Sequence, residues 1–304
     1  MGRINYLRRA ANRFIDDDCM TMAAALAYYT TFSLAPLLLI VIGVVGLAFG
    51  RDVVQQEIQR QIQGLVGQGA AKEVAMMVES AGRHSSSSVP SAVVGLIALL
   101  LGASGAFSQL QTALNQIWRV KPDPRVGGLK NFLGQRILSF GMIVAFAFLL
   151  LVSLAVTAAM SAFGDFIKPY LPAWFSGMMM MAIGFVASFA IVTALFASMY
   201  KILPDAVIQW KDVWAGAAIT SLLFTAGKFL IGAYLGRSGA ADAYGAAGSL
   251  VLLVLWVYYS SMVMLVGAEF TEIWSERHSG PVQPKAGAVL VHTHETMITE
   301  PKAA

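Results

Sequence analysis

Between Asp18 and Arg51 the chain reads CMTMAAALAYYTTFSLAPLLLIVIGVVGLAFG, with no charged residue in the run. A helix rises about 1.5 Å per residue and bilayer hydrocarbon is about 30 Å thick, so about 20 such residues suffice to cross it. This run is long enough to cross with room to tilt. It is also too long for the h-region of a cleavable signal peptide, which spans about 7 to 15 residues, although the basic start MGRINYLRRAANR resembles one. The run therefore reads as an uncleaved first span.

Composition extends that reading to the whole chain. Of 304 residues, 57% are hydrophobic and 12% charged, against about 25% charged in an ordinary soluble domain. A pI near 9.2 raises the question of nucleic acid, but the basic residues gather at the ends of apolar runs, where membrane orientation places them. No nucleic-acid partner is expected. The single cysteine, Cys19, excludes an intrachain disulfide.

The expected fold is all-α: a polytopic membrane protein of six transmembrane helices. A basic N-terminus (1–18) precedes a membrane domain (19–275) with spans near 22–49, 89–110, 137–162, 175–200, 213–235 and 245–270. Two short amphipathic helices are expected in the outer loop 51–88, broken around Gly64, Gly67 and Gly69. In that loop Val54, Ile58, Ile62 and Leu65 share one helical face, and Val74, Met77, Val78 and Ala81 another. Residues 276–304, rich in small and polar residues, read as a disordered cytoplasmic tail.

Arg3, Arg8, Arg9 and Arg13, then the crowd from Arg119 to Arg136, put the N-terminus and the second connection inside. Six spans return the C-terminus to the same, cytoplasmic side. The run Asp16 to Asp18 reads as a helix start rather than a cation site, because three adjacent side chains point to different faces.

Polar groups within the spans mark the candidate site. Pro36 removes a backbone donor and frees the Phe32 carbonyl, which Ser33, Thr31, a neighbouring helix or water would satisfy at a packing kink or gating bend. Tyr29 lies on the same segment. Ser104, Ser108, Gln111 and Asn115 recur at spacings of four, three and four, a polar stripe that faces other helices or water rather than lipid. Two charges lie within spans, Lys228 and Glu269. They sit on the order of 20 Å apart in depth on antiparallel neighbours, so each needs its own account. Lys228 either snorkels outward or lines an outward-facing cavity that attracts an anionic head group. Glu269 shares a face with Tyr258 and Ser261 and is either a helix-end carboxylate or part of a polar vestibule.

Small-residue pairs Gly46/Gly50 and Gly232/Gly236 permit close helix contact. The sequence holds no catalytic or cofactor constellation. The glycines at 67 and 69 with Lys72 only approach a phosphate-binding fingerprint, without its strand or its G-K-S/T ending. His292 and His294 do not make a metal site. No cofactor or metal is expected, and the chain reads as a non-enzyme.

Four segments, ALAYYTTFSLAPLL (Ala25–Leu38), ALNQIW (Ala113–Trp118), YKILP…WKDVWAGA…GK (Tyr200–Lys228) and YGAAGSLVLLVLWVYYSSMVMLVGAE (Tyr244–Glu269), resemble the YihY/virulence factor BrkB family of bacterial inner-membrane proteins. The resemblance covers roughly residues 5–275. By position it carries over Tyr29, Ser33, Pro36, Asn115, Pro204, Asp212, Gly216, Lys228, Tyr244, Gly245, Trp256, Gly267 and Glu269. It implies six spans with both ends cytoplasmic, links to serum resistance, and an older ribonuclease label for transfer RNA processing. The expected function is a transporter or a handler of lipid or envelope components. Its partners would be membrane lipids and an anionic or amphiphilic small molecule. The alternatives are a non-transporting, virulence-associated envelope scaffold and, furthest from the residues, a ribonuclease.

Overall fold

The computed structural model of the chain describes residues 4–66, 68–83, 105–125, 173–235 and 248–291. They form helices α1 (Ile4–Asp16), α2 (Cys19–Phe49), α3 (Arg51–Val66), α4 (Gln68–Arg83), α5 (residues 105–117), α6 (Ala173–Ile202), α7 (Trp210–Leu235) and α8 (Gly248–Ser279). Four short strands accompany them: β1 (Val120–Pro122), β2 (Ala206–Val207), β3 (Gln283–Pro284) and β4 (Ala288–Leu290).

Among the described residues four helices are long and apolar enough to cross a membrane: Cys19–Leu47 in α2, Gly177–Ile202 in α6, Trp210–Leu230 in α7 and Leu250–Ser279 in α8. Large apolar side chains such as Met178, Met181 and Val186 on α6, Leu222 and Leu230 on α7 and Leu47 on α2 point outward, as suits a solvent of lipid tails. Of the other two expected spans, residues 89–104 and 137–162 lie outside the described residues. The 105–110 end of the second is the start of α5.

Left-handed residues set the joints. Asp18 (φ 52°) separates α1 from α2, Gly50 (φ 87°) separates α2 from α3, and Arg119 (φ 53°) turns the chain from α5 into β1. Gly46 serves the second joint, its carbonyl accepting the Gly50 N–H at 3.0 Å, and a methyl there would press on Arg51. That pair is a helix stop rather than a helix–helix contact. Gly236 lies outside the described residues.

Helix α8 is the hub, packing on α7, α2 and α1. At the end of the bundle that holds α1, one apolar core gathers Leu26, Leu114, Trp118, Tyr200, Leu203 and Leu265. At the opposite end Val54 and Ile58 of α3 and Val74 and Val78 of α4 are buried against Val41, Val45, Leu253 and Trp256. The amphipathic faces thus roof the bundle; their apolar stripes find helices to cover.

The expectation of disorder from residue 276 is corrected for residues 276–291. Helix α8 continues to Ser279 because its polar last turns find partners: Arg13 of α1 pairs with Glu272 and Glu276, and Asp212 of α7 accepts the Ser275 and Ser279 hydroxyls at 3.2 and 2.5 Å. The following strap crosses the end of the bundle. Its β3 pairs antiparallel with β2 (Ala206↔Pro284, Val207↔Gln283) and its β4 with β1 (Val120↔Leu290, Lys121↔Val289, Pro122↔Ala288). Gly287 (φ 87°) makes the turn between them. Backbone pairing needs no apolar side chains, so a polar composition hid it. Residues 292–304, with His292 and His294, lie outside the described residues.

Candidate functional site

A cavity of about 600 Å³ lies between α2, α5, α6, α7 and α8. Helical spacing builds its wall. On α6, Phe185, Phe189, Val192 and Phe196 fall along one face; on α7, Phe224, Thr225, Lys228 and Phe229; on α8, Trp256, Val257, Ser260, Ser261 and Met264. Phe224 holds the centre, edge-on to both Phe196 (5.8 Å) and Trp256 (5.4 Å). Such pairs favour one arrangement of the wall.

The wall is apolar with few polar groups. Among the described residues Lys228 is its one basic lining residue, and Thr30, Gln61, Ser188, Thr225, Ser260 and Ser261 add small dipoles. Thr225 donates its hydroxyl to the Ser221 carbonyl at 2.7 Å. Ser260 Oγ is buried and has no hydrogen-bond partner, an unmet donor beside the cavity. Among the described residues no carboxylate pairs with Lys228. An anionic group entering the cavity therefore meets a cation in surroundings of low dielectric, where the attraction is stronger than in water.

Beneath the cavity the helices approach closely. A methyl on Gly267 would overlap Thr220 Oγ1 and Tyr200 OH, and one on Gly216 would overlap Thr271 Oγ1. Glycine at both places lets Tyr200 donate its hydroxyl to the Met264 carbonyl at 2.7 Å, with Thr220 Oγ1 at 2.8 Å. These contacts hold α6, α7 and α8 together.

The sequence-identified residues divide among three places. Lys228 and Ser261 line the cavity, as does Trp256. Gln111 and Asn115 do not; they hold Asp205 in the α6–β2 connection. Asn115 Nδ2 donates to Asp205 Oδ2 at 2.8 Å, the Asp205 N–H donates to Asn115 Oδ1 at 2.7 Å, and Gln111 Nε2 donates to Asp205 Oδ1 at 3.2 Å. Glu269 is fully buried (0% exposed) and faces Asp17 and Cys19 rather than Lys228, with the Cys19 thiol donating to its Oε1 at 3.6 Å.

The others stand apart. Ser33 Oγ accepts the Ala106 N–H at 3.3 Å, tying α2 to α5, and Thr31 donates to the Ala27 carbonyl at 2.7 Å. Pro36 lies inside an α2 that is continuous from Cys19 to Phe49. Tyr29 is 44% exposed and meets Tyr28 edge-on. The Ser108 carbonyl accepts the Thr112 hydroxyl at 2.9 Å. Tyr258 packs against the apolar core at the α1 end. Ser104 lies outside the described residues, as do Tyr244 and Gly245.

Sequence reasoning missed Asp205, Asp17 and most of the aromatic wall. Asp205 had a signal: two amides one turn apart on α5 need a partner at their own depth, and Asp205 is the acid of the short KILPD connection. Asp17 was concealed by its neighbours. Of the three aspartates, Asp16 is exposed, Asp18 accepts the Thr21 hydroxyl at 3.0 Å, and Asp17 turns inward.

The model of the virulence factor BrkB family matches residues 10–289. A UPF0761 membrane protein of Stenotrophomonas maltophilia (strain R551-3) is 28% identical over 285 residues, covering 92% of this chain and 63% of that protein. Another from Psychrobacter sp. (strain PRwf-1) is 28% identical over 273 residues (88% and 48%). A third, from Legionella pneumophila (strain Philadelphia 1), is 26% identical over 279 (90% and 62%). The chain thus spans about half to three-fifths of the length of these curated relatives. No solved structure matches it. With apolar helices and a family match over nearly its whole length, the chain belongs to the virulence factor BrkB family of membrane proteins.

Proposed function

We propose that the chain is an inner-membrane transporter or lipid-handling protein whose substrate is an anionic amphiphile held in the cavity beside Lys228. The observation that carries this reading is one basic side chain, among the described residues, in a mainly aromatic and aliphatic wall around about 600 Å³. Apolar walls with a few placed polar groups are the usual make-up of small-molecule sites. Lysine within a span costs about 2.5 to 3.5 kcal/mol at mid-bilayer, less toward an interface, so its presence calls for a function or a snorkelling route.

On this reading six spans cross the inner membrane, with both ends of the chain cytoplasmic and the α3–α4 roof on the outer side. Lys228, near the α3–α4 end of α7, then belongs to the outer half of the bilayer. The cavity wall is the working part, and no covalent chemistry is assigned to the chain. The test is reconstitution in proteoliposomes, with movement of fluorescent anionic and zwitterionic lipids followed across the bilayer. Anionic lipid should move at least about tenfold faster than in empty vesicles, and Lys228→Leu should lose most of that difference, since a paired charge in such a site is worth about 1.5 to 3 kcal/mol. Movement no faster than in empty vesicles would leave the scaffold reading in its place.

A further inference from the structure

We infer that Asp17 and Glu269 together form a one-proton site, a carboxylic acid and a carboxylate sharing a single proton between Asp17 Oδ2 and Glu269 Oε2. The inference is independent of what occupies the cavity. Glu269 Oε2 and Asp17 Oδ2 are both buried, and neither has a donor. The two carboxyl groups nevertheless stand within hydrogen-bonding reach of each other. Two ionised carboxylates offer only acceptors and repel at that range. One proton between them satisfies both orphaned oxygens and removes one buried charge. Among the described residues no donor reaches either oxygen.

The surrounding groups are already committed. From α2, the Cys19 thiol is a weak donor to the other Glu269 oxygen, Oε1. From α1, Arg13 is held by Glu272 and Glu276 of α8. From the α5–β1 turn, Arg119 approaches the other Asp17 oxygen, Oδ1, at 3.9 Å. Asp18 takes the Thr21 hydroxyl, and Asp212 of α7 takes Ser275 and Ser279. The proton is the ligand this pair lacks. Because Asp17 sits at the α1–α2 joint and Glu269 on α8, binding or losing that proton bears on how α1 docks against the bundle. The site lies about 7.5 Å along α8 from Met264, which lines the cavity and whose carbonyl accepts the Tyr200 hydroxyl.

The test is infrared difference spectroscopy of the full chain in lipid, titrated across the neutral range and compared with Asp17→Asn and Glu269→Gln. Each amide supplies its partner with a donor without a proton to lose. The wild type should show one protonated-carboxyl carbonyl signal, titrating as one proton per chain and absent from both variants. A signal that survives in Asp17→Asn, or no signal in the wild type, overturns the proposal. Should a variant fail to fold, the S–H stretch of Cys19, the sole cysteine, reads the same event. It should shift as the wild-type pair titrates and stay fixed in whichever amide variant folds. An S–H band unmoved in the wild type also overturns it.

Discussion

Asn115→Ala removes two hydrogen bonds at one stroke, from Nδ2 to Asp205 Oδ2 at 2.8 Å and from the Asp205 N–H to Oδ1 at 2.7 Å. The first goes to a carboxylate and is worth about 1.5 to 3 kcal/mol; the second is neutral and worth about 0.5 to 1.5 kcal/mol. Asp205 is only partly buried and keeps its Gln111 bond, so water replaces some of the loss. The expected destabilisation is therefore in the lower half of the sum, about 2 to 3 kcal/mol. Asp205 also presents its carbonyl to the Lys285 N–H at 2.8 Å, so the loss should reach the strap. Hydrogen exchange in lipid nanodiscs reads both effects, as faster exchange in residues 105–125 and 283–290. The double-mutant cycle of Asn115→Ala with Asp205→Ala isolates the side-chain pair and should give a coupling of at least about 1 kcal/mol. A coupling near zero would refute the assignment of the α5 amides to a structural clasp.

Other expectations follow from the same contacts. Gly267→Ala puts a methyl on Thr220 Oγ1 and Tyr200 OH and should cost about 2 to 4 kcal/mol by overpacking and broken hydrogen bonds. Gly43→Ala, with nothing within 4 Å of the new methyl, should be neutral or stabilise the helix by up to about 1 kcal/mol; thermal unfolding in detergent distinguishes them. Lys285 lies outside the spans, its amine donating to the Ile202 and Pro204 carbonyls at 3.0 and 2.7 Å. Burial pushes its pKa below the ordinary lysine value, partly offset by Asp205. In the alkaline window between the lowered value and the ordinary one the unfolded strap binds more protons than the docked one, so docking should strengthen as pH rises. Proteolysis within residues 280–291 should slow there, and Lys285→Met should abolish that dependence.

Period and hydropathy made the long helices legible. An uncharged run such as Cys19–Gly50 has one cheap fate in a membrane, and α6, α7 and α8 follow the same logic. The stripe Gln111/Asn115 announced an inward-facing polar contact, and Lys228 announced itself by its cost. What stayed hidden depends on pairings that no local period encodes. The strap is held by backbone hydrogen bonds between β1 and β4 and between β2 and β3, which leave no apolar trace in the sequence. Glu269 was legible as an acid within a span, read as a helix-end carboxylate or part of a vestibule, but its burial and its partner were not, because Asp17 sits between two aspartates that face elsewhere. The aromatic wall was invisible for another reason: in a chain 57% hydrophobic, a phenylalanine that lines a cavity looks like one that faces lipid.

A transport cavity at this place requires that these helices cross the bilayer. The direct measurement is two-sided labelling in sealed vesicles, in a Cys19→Ser background that keeps a hydroxyl donor beside Glu269. One cysteine is introduced at Arg125, beyond α5, or at Gln59 on α3; both positions are exposed. An impermeant thiol reagent should reach Arg125→Cys from the cytoplasmic face and Gln59→Cys from the opposite face. Labelling of both from the same face would contradict the crossing of α2 and the placement of the cavity within the membrane.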